Sequence, residues 1–118
     1  MKYPFIKNVH HEEVFSLAGQ VQAAQGQIVS KTLAQNRAVS VTLFAFAQGE
    51  EISTHDSKGD AFVTVLEGCG RFTVDGTDYL VHAGEALVMP AQKPHAVYAQ
   101  EAFKMMLTVV FQEDGAQE

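Results

Sequence analysis

Two histidines stand where their spacing could do chemistry. His55 lies in Gly49–Gly68, GEEISTHDSKGDAFVTVLEG, and His95 lies in Gly84–Ala99, GEALVMPAQKPHAVYA. Both stretches run in the same order: a glycine turn, a short apolar run or loop, the histidine, then a strand. That shared plan predicts two imidazoles on facing strands of a β barrel. An imidazole can bind a metal, shuttle a proton or orient a ligand, and its charge changes near neutral pH. A convergent pair in a mostly apolar cavity would make a small-molecule site. The competing reading is that both rings are satisfied by hydrogen bonds in a barrel that only packs. Two imidazoles alone hold a metal weakly, because stable zinc sites use three or four protein ligands.

The other reactive side chains are less well placed. Ser57 reads as a loop hydroxyl, since a nucleophile needs a positioned base. His10 and His11 are adjacent in a polar lead-in and read as solvated; His82, before a glycine turn, reads as surface. Met89, Met105 and Met106 suit core or pocket wall, because thioethers favour soft metals that nothing else here calls for. Gly49, Gly68, Gly76 and Gly84 read as turn positions.

The elements that must position the histidines are short strands. Val14–Leu17 is compatible with an edge strand or half a turn of helix, and Gly19–Gly26 reads as loop. Alternation predicts strands at Gln27–Leu33 and Ala38–Ala47, with Ala34–Arg37 as a turn between them. In Ala38–Ala47 both faces carry apolar groups, so both faces should be covered. Gln48–Gly59 reads as a long loop with His55 inside it or at its end. Strands follow at Ala61–Leu66, Arg71–Val74 and Thr77–Val81. Asp75-Gly76 between the last two is the residue pair that a type I′ hairpin turn demands. Ala86–Met89 is stopped by Pro90, Pro94 keeps its loop out of any ladder, and Ala96–Ala99 and Phe103–Phe111 close the set. Gln112–Glu118 reads as a polar tail. Many short strands with close-set turns, and no amphipathic helix, predict a β sandwich or barrel.

Composition narrows the function classes. The chain has 118 residues, 47% hydrophobic and 19% charged, which suits one globular domain over 1–118. With a formal charge of -6 and only 8 Lys and Arg, no basic cluster supports a nucleic-acid partner. The lone cysteine, Cys69, permits no intrachain disulfide and fits a reducing compartment. There is no apolar run of membrane-span length, and MKYPFIKNVHHEEVFSL lacks the apolar core of a signal peptide. The expectation is a cytoplasmic protein.

The two histidine stretches resemble the two motifs of the cupin superfamily. Gly49, His55 and Gly68 match the spacing of the first, Gly-x5-His-x-His-x3,4-Glu-x6-Gly. Gly84, Pro90 and His95 match the second, Gly-x5-Pro-x-Gly-x2-His-x3-Asn. The resemblance covers roughly residues 38–111, leaving residues 1–37 as a lead-in. It implies an all-β double-stranded β-helix, a jelly-roll barrel with a pocket inside, and it puts Cys69 outside that pocket.

The departures bear on function. Metal-binding cupins usually take two histidines and a glutamate from the first motif and a histidine from the second. Here the second histidine is Ser57, the glutamate is Ala61, the second-motif glycine is Gln92 and its asparagine is Ala99. His55 and His95 remain. Asp60 sits beside the missing glutamate and would complete a two-histidine, one-carboxylate set if a bulge turned it inward; in a regular strand it points away. The resemblance therefore implies a small-molecule-binding cupin centred on His55 and His95, with or without a weakly held divalent metal ion. The alternatives are a metal-dependent oxygenase or isomerase using His55, His95 and Asp60, a metal-free histidine acid–base isomerase, and a non-catalytic structural module. A homodimer is expected on the barrel's outer face, where Phe62, Thr64 and Leu66, and also Phe44 and Phe46, would lie with too little chain to cover them.

Overall fold

The structure, a computed structural model, describes residues 5–112. Its strands are β1 (Ile28–Gln35), β2 (Val39–Phe46), β3 (Glu51–His55), β4 (Asp60–Glu67), β5 (Cys69–Val74), β6 (Thr77–His82), β7 (Ala86–Met89), β8 (His95–Tyr98) and β9 (Phe103–Val110). They form a five-stranded sheet, β1-β2-β9-β4-β7, and a four-stranded sheet, β3-β8-β5-β6. Among the described residues, these strand pairs are all antiparallel. Two packed antiparallel sheets with this crossed strand order are the expected jelly roll.

Alternation places the core between the sheets. On β4, Ala61, Val63 and Val65 are buried while Phe62 is half exposed. On β5, Gly70, Phe72 and Val74 face inward while Cys69, Arg71 and Thr73 face outward. Phe46 and Phe103 stack at 4.7 Å, and Phe72 meets Phe103 edge-on at 6.0 Å. These rings fill the end of the barrel where β9 begins. Gly70 has to be glycine, because a Cβ there would stand 2.6 Å from the Phe103 ring. The hairpin turn forms as its residues require: Asp75 and Gly76 have φ of 50° and 87°.

Two expectations about the outer surface are corrected. Phe44 and Phe46 face the interior, because the register of β2 turns Val41, Leu43 and Ala45 outward instead. That outer face is in part covered by the chain's own lead-in. Val21, Leu33, Leu43 and Ala45 form a second apolar cluster, joined by Val9, Leu17, Leu66 and Met106. Among the described residues the part of the lead-in before β1 lacks strand pairing but is held down by polar contacts. Lys7 N donates to Leu33 O at 2.8 Å, and Asn8 Nδ2 donates to Thr32 O at 2.6 Å. The largely buried Lys104 reaches from β9 to give its ammonium to Ala18 O at 2.7 Å, with Glu67 Oε1 3.6 Å away.

The remaining differences are local. Val14–Leu17 forms no strand; Leu17 is helical and precedes a short 3-10 turn at Ala18–Gln20, inside the stretch read partly as loop. Strand β1 runs on to Gln35, with a bulge between Thr32 and Ala34, so the turn is shorter than Ala34–Arg37. Glu51–His55, read as loop, is strand β3. It offers one apolar residue, Ile52, so no alternation marked it. Within Gln112–Glu118, residues beyond Gln112 lie outside the described residues.

Candidate functional site

His55 and His95 lie on neighbouring strands of one sheet, not on facing strands. They are direct partners across the β3–β8 ladder. The pairing depends on a bulge. From Ile52↔Val97 to His55↔His95, β3 advances three residues while β8 advances two. In a regular strand, residues three apart point to opposite faces. The extra residue restores His55 to the face of Ile52 and His95.

The rings meet edge to face, with centroids 4.3 Å apart and planes at 70°. Each is fixed by a carbonyl two residues earlier in its own chain. His55 Nδ1 is 2.9 Å from Ser53 O, and His95 Nδ1 is 3.2 Å from Lys93 O. A carbonyl oxygen only accepts, so each Nδ1 carries the proton, and in the neutral ring Nε2 keeps a free lone pair. The same carbonyl anchoring orients histidines that bind metals or ligands through the other nitrogen. Sequence reasoning missed these anchors, since a backbone oxygen has no residue signature.

The two environments differ. His95 is 4% exposed, whereas His55 is exposed. Burial first, then the neighbouring His55, lowers the pKa of His95; the Lys93 carbonyl and Asp56 act in the opposite sense. His95 is therefore a neutral imidazole at physiological pH, which is the form that offers a lone pair.

This shift has a consequence for stability. An unfolded histidine titrates near about pH 6.5, and the folded His95 titrates lower. As pH falls the unfolded chain takes up this proton first. The stability from neutral His95 is thus complete above about pH 6.5 and is lost as pH falls through the folded pKa. The melting temperature is expected to drop on acidification in this window, and to drop less in His95→Asn. Parallel acid profiles for the two proteins would contradict the assignment.

Asp60 does not join the pair. Strand β4 begins at Asp60 and pairs regularly there, so the side chain lies on the face opposite Ala61. Its Oδ1 accepts a hydrogen bond from Ala91 N at 2.8 Å. Ser57 Oγ donates to Gly59 O at 2.6 Å, and Ser57 O accepts from Gln92 N at 2.8 Å. Asp60 and Ser57 thus lace together the two loops beside the histidines. Ala61 is 2% exposed on the inner face, a methyl where the resemblance places a carboxylate. Gln92 has φ of 67°, the left-handed region that explains a glycine preference at that position. Among the described residues no group of three His, Cys, Asp or Glu side chains could hold a metal. The donor set does not fit a tightly held metal ion.

The other candidates are accounted for. Cys69 is on the outer face of β5, and burial, then Glu101 and Glu85, raises its thiol pKa, which disfavours the reactive thiolate. His82 is exposed and pairs with Glu85 Oε1 at 3.2 Å. His10 and His11 are exposed, His11 Nε2 lying 2.8 Å from Ile6 O. Met89 and Met105 are core. No helix among the described residues is long and apolar enough to cross a membrane.

Comparison with known proteins gives a consistent result. The sequence matches the family described as Cupin domain over residues 42–111. A conserved protein of unknown function from Streptococcus pyogenes is 43% identical and superposes with a TM-score of 0.92, covering 94% of this chain and 97% of its own. A cupin superfamily protein from Desulfitobacterium hafniense is 32% identical at a TM-score of 0.86, covering 91% and 98%. A cupin 2 conserved barrel domain protein from Leptotrichia buccalis is 44% identical at 0.80 over 81% of this chain, which spans only 47% of that protein. No curated protein matches the sequence.

Proposed function

Because this chain belongs to the cupin superfamily, we propose that it binds a small molecule through the paired imidazoles of His55 and His95. One observation carries the reading: the rings sit 4.3 Å apart with both Nδ1 atoms committed to carbonyl oxygens. In the neutral rings both Nε2 atoms are thereby left to a ligand. Such a pair takes a ligand bearing hydrogen-bond donors, or, more weakly, a divalent cation. Phe46, Phe72 and Phe103 occupy part of the interior, which favours a small ligand.

A second reading has a specific support. A buried histidine kept neutral beside a second one can accept a proton in a metal-free isomerisation. Incorporation of solvent deuterium into a bound ligand separates this from binding alone. The metal-dependent oxygenase reading loses support with Asp60 turned outward.

The binding reading is tested by metal content. Protein purified without a histidine tag is expected to carry substoichiometric metal and to lose it on dialysis against a chelator, with the fold intact. Stoichiometric metal surviving that dialysis would overturn the two-ligand description.

A further inference from the structure

We propose that the lead-in and β1 form a second binding site, separate from the histidine pair, for a small zwitterion such as a free α-amino acid with an apolar side chain. The site is a half-open recess of about 400 Å³ between the lead-in and β1. That volume lies within the range of small-molecule sites.

Its walls carry three kinds of chemistry. Lys31 on β1 supplies an ammonium, and Gln20 receives a hydrogen bond from it at 2.9 Å. Glu13 supplies a carboxylate and His10 an imidazole. Val9 and Phe15 supply apolar surface, and Phe15 is 41% exposed. An α-amino acid presents the complement: a carboxylate for Lys31 and the Gln20 amide, an ammonium for Glu13, and a side chain for Val9 and Phe15. A ligand with a single charge would leave one wall unmatched, and a polyol would leave the apolar wall bare.

The lead-in's backbone is an independent observation. Asn8 and Glu12 have φ of 69° and 62°; asparagine tolerates this left-handed conformation, whereas it is costly for a glutamate. Such outliers persist where the surroundings over-determine them, and they cluster at ligand clamps. Here the hold comes from Lys7 and Asn8 on β1 and from the buried Lys104 ammonium on Ala18.

The test titrates the ¹⁵N-labelled full chain with L-phenylalanine, its amide and its N-acetyl derivative. Saturable shifts are expected at Lys31, Gln20 and Phe15, with a Kd on the order of 1 mM. The amide lacks the carboxylate and the N-acetyl form lacks the ammonium, so each should bind about tenfold more weakly or worse. Lys31→Gln and Glu13→Gln should each lose about tenfold, and Phe15→Ala should lose selectivity for phenylalanine over glycine. Preserved spectral dispersion shows that each variant is folded. Three results would overturn the proposal: no saturation, equal binding of the three ligands, or shifts confined to His55 and His95.

Discussion

Phe103→Ala is expected to cost about 3–5 kcal/mol of folding stability, the range for a buried phenylalanine truncated to alanine. The side chain is 2% exposed, stacks on Phe46 at 4.7 Å and meets Phe72 edge-on. Truncation removes the ring's transfer free energy, leaves a cavity, and takes from Phe46 and Phe72 their contacts with this ring. The site cannot collapse easily, because Phe46 and Phe103 are direct partners in the β2–β9 ladder and Gly70 already lies against the ring. For a chain of this size the melting temperature should fall by about 10–20 °C. Denaturant unfolding should show a lower midpoint with an unchanged slope. A loss below about 1 kcal/mol would mean that the aromatic stack is not the structural centre of the barrel.

His55→Ala and His95→Ala are each expected to abolish saturable binding at the histidine pair. Zinc is a convenient probe, since imidazole nitrogen is a good ligand for it. The parent should bind it weakly and reversibly. Loss of one of two protein ligands should weaken binding by at least about 100-fold, exceeding the 10–100-fold seen for outer-shell partners. Asp60→Ala should leave the affinity unchanged, because its carboxylate is occupied by Ala91 N. It should instead loosen the loop after β7. Isothermal titration measures all three, and a reduced affinity in Asp60→Ala would return that carboxylate to the site.

The fold was legible because alternation and turn chemistry agree along most of the chain. Ala61–Leu66, Ala86–Met89 and Phe103–Phe111 announced their strands nearly to the residue, and Asp75-Gly76 announced its hairpin. The glycine and histidine spacings singled out two histidines that the structure brings together. What the sequence withheld was of another kind. Strand β3 has one apolar residue in an otherwise polar run, so periodicity had nothing to register. The bulge after Ile52 leaves no mark in composition, yet it decides the face on which His55 stands. The register of β2 decided whether Phe44 and Phe46 faced in or out, and both faces of that strand are apolar. The lead-in's role as a cover for Leu43, Ala45 and Leu66 is held in part by one buried lysine, Lys104, which in sequence looks like any surface charge.

The central claim is that His55 and His95 present two lone pairs to one ligand. A long-range ¹H–¹⁵N correlation spectrum of the imidazole nitrogens, followed through a zinc titration of the intact chain, tests it most directly. The account predicts that both histidines carry the proton on Nδ1 and that both Nε2 resonances shift together along one saturation curve. A proton on Nε2 of either ring, or shifts confined to His10, His11 and His82, would contradict it.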